Sequence, residues 1–124
     1  MGGTYVLRSV EGEPLPTQLY PPSNAYRPDV VADTLRLDVT GHGTLTRVVS
    51  LRNPSTGVET VARWEMPVSY RYDEWALRGE VLCPPNADCV LSSAEFTGTL
   101  RRGGLRIESG LAVRVPLEYE RVSR

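Results

Sequence analysis

Residues 58–82, VETVARWEMPVSYRYDEWALRGEVL, decide the fold. From position 58 to position 72 the even positions are mostly apolar or aromatic, while the odd positions are mostly charged or polar. A period of two is typical of a β-strand whose sheet has one dry face and one wet face. Such a strand would extend roughly 50 Å if it were straight. We therefore expect a bend, and Pro67 is its predicted position because proline cannot donate to the hydrogen-bond ladder.

The pattern changes phase after Asp73 and Glu74. A change of parity between two alternating runs predicts a turn that reverses the chain into a second, antiparallel strand. The apolar set of this second run is Trp75, Leu77, Gly79 and Val81.

The composition is that of a soluble globular domain. The chain of 124 residues is 40% hydrophobic and 23% charged with a formal net charge of -1, which predicts one domain over residues 1–124 with a core of its own. No apolar run approaches the length of a transmembrane segment. All 14 basic residues are arginine. Because they alternate with Asp and Glu instead of clustering, no nucleic-acid surface is expected.

Cys83 and Cys89 flank a loop rich in proline and asparagine between two strand-like runs. We interpret them as a disulfide, the alternative being two free thiols in a cytosolic protein. A disulfide places the protein in an oxidising compartment, so we expect it to be periplasmic or secreted, or to be a lipoprotein whose signal has been removed. Because Met1-Gly2 is compatible with the loss of a targeting segment, the lack of a visible signal peptide leaves this expectation unchanged.

No cofactor or metal site is predicted. His42 is the only histidine and lies between two glycines, where it is interpreted as a polar turn residue. A single cysteine pair and a single histidine do not complete a zinc site with the spacing such sites require.

The remaining runs predict about eight strands joined mostly by short turns. The strand-like runs are residues 4–10, 34–40, 44–53, 58–72, 75–82, 93–100, 105–108 and 111–122. Residues 17–29, with three prolines and two tyrosines, are interpreted as a loop across one end. Hairpin order favours an all-β, antiparallel up-and-down barrel over a two-sheet sandwich, because closing the sheet removes its edges.

The two ends of the chain resemble one known family. GTYVLRSVEGEPLP at residues 3–16 resembles the opening of bacterial lipocalin-like (calycin) domains, and LEYER at residues 117–121 is similar to their last strand. The resemblance implies a lipocalin-like barrel in which Tyr5 and Arg121 pack against each other at the seam. It also implies binding of a small molecule.

The first functional hypothesis is that the barrel binds a small hydrophobic or aromatic molecule in its interior. Wide aromatic rings, a pliant methionine and the gaps left by Gly79 and Gly98 suit an apolar cavity. The alternative for each residue is a place in the packed core. The predicted ligand-binding residues are Trp64, Met66, Tyr70, Tyr72, Leu77, Phe96 and Val113.

Two other hypotheses stay open, and the oligomeric state is not predicted. One is a cofactor-independent isomerase or cyclase that uses Tyr70, Tyr72 or Glu65, for which an inward carboxylate with a raised pKa would be the distinguishing sign. The other is a non-catalytic cell-envelope module that binds a partner through the loop at residues 19–28 or through the outer face. The candidate outer-face residues are Val48, Val61 and Ala76.

Overall fold

The computed structural model describes residues 2–18, 27–82, 95–111 and 114–123. Within these ranges every regular element is a β-strand. The ten strands are β1 (Gly3–Val10), β2 (Glu13–Pro14), β3 (Thr17–Gln18), β4 (Arg27–Leu37), β5 (His42–Arg52), β6 (Glu59–Asp73), β7 (Ala76–Val81), β8 (Glu95–Arg101), β9 (Gly104–Ser109) and β10 (Leu117–Ser123).

Eight of these strands close into an antiparallel barrel. Each long strand pairs with its neighbour in the chain from β4 through β10, and β1 completes the circle by pairing with both β10 and β4. The two short strands, β2 and β3, extend the sheet beside β1 and β4. The predicted all-β, up-and-down barrel is confirmed, and closure leaves its eight main strands without an open sheet edge.

The barrel has two unlike ends. At the turn end, residues 38–41, 74–75 and 102–103 make three short reversals, and β1 begins and β10 ends there. At the loop end, residues 11–12 join β1 to β2 and residues 53–58 join β5 to β6, and β7 and β9 end there.

Strand β6 runs for 15 residues and pairs with β5 from Glu59 to Ser69 without a register shift. Pro67 lies inside this strand, and its carbonyl accepts a hydrogen bond from the Leu82 amide at 2.8 Å. That bond lies just beyond the last register pair of β6 and β7, Val68 with Val81. Pro67 is therefore at the end of this ladder, where a missing N–H costs less than in its middle.

The predicted turn after Asp73 is present, but Trp75 does not face inward. Glu74 and Trp75 form a two-residue turn in which Glu74 has a φ of 56°, and the Trp75 side chain is 64% exposed. The inward row of β7 begins at Leu77 instead. Residues at the tip of a two-residue hairpin are outside the pleat, so the alternation cannot be extended through them.

Strand β4 begins earlier than predicted, at Arg27 in place of Thr34. A register shift between Val30 and Ala32 marks a bulge opposite β5, and it lets Val30 and Asp33 both face the interior. A bulge interrupts strict alternation, which is why the sequence pattern stops short of this segment. At the other end of the chain, β10 begins at Leu117 and not at Leu111.

The inward side chains form one hydrophobic core. The largest of its fully buried members are Leu7, Leu35, Leu45, Leu77, Phe96, Leu105, Ile107, Leu111 and Leu117. Several expectations concern residues outside the described ranges, namely the Cys83–Cys89 disulfide, the contribution of Val113, and Tyr20 and Tyr26 in the predicted loop.

Gly79 is required by the Phe96 ring. The two residues are paired in register on β7 and β8, and a Cβ atom added at Gly79 would overlap that ring. Gly79→Ala should lower the free energy of unfolding by about 1–3 kcal/mol, the usual cost of overpacking a core. Urea denaturation of the wild-type and variant proteins measures it.

The control for this prediction is the same change in a Phe96→Leu background. Because the smaller side chain removes the overlap, Gly79→Ala should cost clearly less there than in the wild type. Equal costs in the two backgrounds would contradict the steric explanation.

Candidate functional site

Most of the predicted ligand-binding residues form the packed interior. Met66, Leu77 and Phe96 are buried members of the core, and so is Tyr70, which is 9% exposed. Tyr72 lies toward the turn end and is 48% exposed. Trp64 is partly buried against the core. Of the six predicted residues whose side chains are described, Trp64 and Tyr72 combine an inward register position with partial exposure, Trp64 toward the loop end and Tyr72 toward the turn end.

Tyr70 anchors the turn end of the barrel. Its hydroxyl donates to the Asp38 carbonyl, and its amide donates to the Gly41 carbonyl at 2.8 Å. Burial, followed by the charge of Asp38, raises the pKa of Tyr70. These contacts hold the β4–β5 turn against β6, which is a structural task.

His42 belongs to the same turn. Its amide donates to the Asp38 carboxylate at 3.1 Å, and Thr40 donates to the same carboxylate through its amide at 2.9 Å. Hydrogen bonds from the Thr40 side chain and the His42 amide lower the pKa of Asp38. The position of His42 agrees with its interpretation as a polar turn residue.

Tyr5 and Arg121 lie opposite each other in the β1–β10 register. Tyr5 is buried, whereas Arg121 is exposed and donates to the Gly2 carbonyl at 2.6 Å. Burial raises the pKa of Tyr5, and the Arg121 charge opposes this change. The two residues are therefore register neighbours where β1 meets β10, and packing of the guanidinium against the ring stays a prediction.

A buried polar network lies inside the barrel. Arg47 is 0% exposed, and its Nε donates to Asp33 Oδ2 at 2.6 Å. Its guanidinium also donates to the Leu111 carbonyl at 2.5 Å. The Tyr119 hydroxyl donates to Asp33 Oδ1 at 2.7 Å. We call these four groups the polar network.

The network is built by strand register. Asp33 and Arg47 are direct partners across β4 and β5, so their side chains leave the sheet side by side on the inner face. Tyr119 comes from β10, on the far side of β1. The Asp33 carboxylate thus links β4 to β10 across the inner face of β1, and both of its oxygens accept a hydrogen bond.

Burial dominates the electrostatics of the network. Removal from water raises the pKa of Asp33, and the charge of Arg47 and the hydrogen bonds from Tyr119 and Arg47 oppose that effect. Burial, and next the negative charge of Asp33, raise the pKa of Tyr119 well above its usual value. An uncompensated charge at this depth would be very costly, so each ion depends on the other.

Trp64 lies beside this network. It is the register partner of Arg47 across β5 and β6. The β6–β7 ladder ends at Val68 and Pro67, so Trp64 lies beyond the last β7 hydrogen bond, toward the loop end. Leu15 and Val115, also partly buried against the core, come from segments of the same end. An accessible aromatic ring thus stands next to a buried, polar floor.

Two concavities lie on the outer surface. One, of about 430 Å³, crosses β6, β7 and β8 over the backbone of Tyr70, Gly79 and Phe96. Its walls are the outward side chains of Ser69, Arg71, Arg78, Glu80, Glu95 and Thr97, and we call it the arginine trough. The other, of about 310 Å³, lies over β1 and the β4 bulge and is lined mainly by apolar groups.

The described residues contain no group of three or more metal-ligating side chains. Among the same residues no helix is long and apolar enough to span a bilayer. Glu65, considered as a catalytic acid, points outward and pairs with Arg63 at 3.0 Å. Val61 and Ala76 of the predicted outer face are exposed, and Val48 is half-buried.

Comparisons of the chain with models of protein families, with curated proteins and with solved structures found no significant match. The functional reading therefore rests on the geometry of the site.

The sequence reading missed Asp33, Arg47 and Tyr119 as a group. One signal was available: Arg47 shares the parity of Leu45 and Val49, so a charged residue occupies an inward row. A buried arginine requires a carboxylate nearby. Continuing the row of Leu37 and Leu35 by two residues leads to Asp33.

Removing the Asp33 carboxylate should be strongly destabilising. Asp33→Ala leaves Arg47 buried without its counter-ion, and we expect a loss of about 3–5 kcal/mol in the free energy of unfolding, measured by urea denaturation. The matched control is Glu65→Ala in the exposed Arg63–Glu65 pair. Here we expect a loss of under about 1 kcal/mol in the free energy of unfolding.

If Asp33→Ala does not fold, the double variant Asp33→Leu with Arg47→Met keeps the test decisive. It removes both charges, so it should be more stable than Asp33→Ala. A double variant as unstable as the single one would show that charge compensation is not the function of the pair.

Tyr119 should make the barrel sensitive to alkali. Because its folded-state pKa is raised, the contribution of the neutral hydroxyl is complete below the unfolded-state value of about 10 and is lost as pH rises beyond it. Unfolding free energies measured between neutral and alkaline pH should fall less steeply in Tyr119→Phe than in the wild type. Part of the slope should remain, since the pKa values of Tyr5 and Tyr70 are raised too. Identical slopes would contradict this role.

Proposed function

We propose that the protein binds a small hydrophobic or aromatic molecule at the loop end of the barrel, with Trp64 as the wall and the polar network as the floor. The observation that carries the proposal is the position of Trp64, which is only partly buried and stands in register with the fully buried Arg47. Ligand sites combine an apolar surface with a few fixed polar groups in this way.

The packing supports the loop end over the rest of the interior. Toward the turn end, Met66, Leu77 and Phe96 fill the space between the strands, and Phe96 occupies the gap above Gly79. A ligand there would have to displace core side chains. At Trp64, part of the indole ring is not covered by other side chains. A ligand bound there would remove apolar area from water without displacing core residues.

The polar network favours recognition over catalysis. Asp33 is an inward carboxylate with a raised pKa, which is the sign expected of an acid or base catalyst. Both of its oxygens, however, already accept hydrogen bonds, from Arg47 and from Tyr119. A carboxylate that is fully buried and engaged in this way orients its neighbours and is not exposed to a substrate. We therefore propose a non-catalytic role.

We keep an extracytoplasmic location as part of the proposal. It rests on Cys83 and Cys89, whose pairing lies outside the described residues. Titration of free thiols in the unfolded, unreduced protein decides it, since two reactive thiols would remove the argument for an oxidising compartment.

The binding test uses the two tryptophans as internal probe and control. The chain has two of them; Trp64 lies at the proposed site and Trp75 at the opposite end. In Trp75→Phe, titration with a panel of fatty acids, indoles and an environment-sensitive apolar dye should produce a saturable change in Trp64 emission. In Trp64→Phe, the same titration should leave Trp75 emission unchanged and should weaken binding of the dye.

The outcome against the proposal is equally clear. If Trp75→Phe is as stable as the wild type in urea and no probe changes its emission, Trp64 is a core residue at the barrel rim. A response of Trp75 alone would place any binding at the turn end.

A further inference from the structure

The turn end collects exposed apolar side chains. Of the seven large hydrophobic side chains that are exposed among the described residues, four lie at this end. They are Val39, Tyr72, Trp75 and Val122, and Val39 and Trp75 are 81% and 64% exposed. Exposed hydrophobic residues scattered singly are ordinary, but a group that includes tryptophan and tyrosine indicates an interaction surface.

Hydrogen bonds hold part of this surface together. The Leu100 amide donates to the Trp75 carbonyl at 2.6 Å, and the Arg121 amide donates to the Gly103 carbonyl at 2.9 Å. The 102–103 turn therefore lies between the tip that carries Trp75 and the end of β10. The aromatic tip and the neighbouring arginines belong to one rigid rim.

The same rim carries an excess of positive charge. Its exposed arginines are Arg36, Arg71, Arg78, Arg101, Arg102 and Arg121. Its exposed carboxylates are Asp38, Asp73 and Glu74, while Glu120 is already paired with Arg8 at 2.9 Å. Six arginines against three unpaired carboxylates leave the turn end cationic.

The loop end has the opposite balance among the described side chains. Its carboxylates are Glu11, Glu13, Asp29, Glu59 and Glu108, of which Glu11 and Glu13 pair with Arg114, and its other arginine is Arg52. The molecule is thus electrically polarised along the barrel axis, and a negatively charged plane would orient it with the turn end forward.

Two of the arginines oppose each other directly. Arg71 and Arg78 are register partners on β6 and β7, and both line the arginine trough. Like charges facing each other across a strand pair are destabilising. Glu80 and Glu95 line the same trough and place two carboxylates near this pair. The exposed guanidinium groups also suit a phosphate, because they donate in a fork.

We propose that the turn end of the barrel docks on the surface of an anionic lipid bilayer. Trp75 and Tyr72 would lie at the boundary between headgroups and acyl chains, where their amphipathic rings are stabilised. The arginines would contact lipid phosphates. Attachment of this kind is peripheral and reversible, and it depends on ionic strength.

The surface chemistry favours a lipid bilayer over a nucleic acid. Asp73 and Glu74 precede Trp75 at the foremost tip and would repel either polyanion, so apolar contact decides between the two partners. Val39 and Val122 add branched aliphatic surface, which a nucleic-acid backbone does not use. A bilayer supplies both a layer of phosphates for the arginines and hydrocarbon for the apolar tip.

Co-sedimentation with vesicles tests the proposal. The wild-type protein should sediment with phosphatidylcholine vesicles that contain phosphatidylglycerol, should stay in solution with pure phosphatidylcholine, and should be released by salt. In Trp64→Phe, emission from Trp75, then the single tryptophan, should shift to shorter wavelength on binding. Because the probe is at the turn end, the result is independent of the ligand site proposed above.

Variants locate the contact. Arg101→Ala should lower the partition coefficient about fivefold, and Arg101→Ala with Arg102→Ala about 25-fold if the two contributions add. Trp75→Ala should also reduce binding. The matched controls are Arg52→Ala and Val58→Ala, exposed positions at the loop end, and both should bind as the wild type does.

Three outcomes would overturn the proposal. They are no sedimentation with anionic vesicles, equal sedimentation with neutral ones, and loop-end variants that weaken binding as much as turn-end variants do. If vesicles fail while soluble polyglutamate or a DNA duplex shifts Trp75 emission, the surface belongs to an acidic polypeptide or a nucleic acid instead.

Discussion

The buried ion pair between Asp33 and Arg47 sets conditions that the rest of the barrel has to meet. A guanidinium with no exposure to water is stable only when a carboxylate is held against it. Here the register of β4 against β5 supplies that contact. The carboxylate also accepts a hydrogen bond from Tyr119 on β10, so the network spans the closing strand β1 from one side to the other. Barrel closure and charge compensation therefore depend on the same few atoms.

The network also explains why this part of the interior is not simply hydrophobic. Apolar residues of similar volume would often give equal or greater stability than a buried ion pair. A polar network, in return, restricts the register, because a shift of one residue would turn Arg47 to the outside and leave Asp33 alone. Trp64, its neighbour on β6, gains a fixed and polar surface at its side. The Asp33–Arg47 contact thus has two consequences. It specifies one strand register, and it gives Trp64 a fixed polar neighbour.

Strand alternation predicted the all-β class, the up-and-down order and most of the inward residues, since the pleat fixes side-chain direction with a period of two. It failed where the pleat is interrupted. Trp75 lies at a hairpin tip, and β4 contains a bulge, so neither follows the neighbouring parity. The candidate site was predicted only through Trp64. Its polar partners come from β4, β5 and β10, and contacts between strands so distant in the chain have no periodic signal in the sequence.

The strand topology decides which charged residues become neighbours in the folded barrel, whatever their separation in the sequence. In an up-and-down barrel alternate turns meet at the same end, so segments separated by some thirty residues become neighbours. Arg36, Arg71, Arg101 and Arg121 are dispersed in the sequence, yet each lies near a strand end that belongs to the turn end. Dispersed arginines are thus compatible with a strongly polarised molecule, and a linear search for basic clusters would not find one. The same topology sends the other connections between described strands to the opposite end, toward which Trp64 lies. The proposed ligand site and the proposed docking surface therefore draw on different connections between the same eight strands.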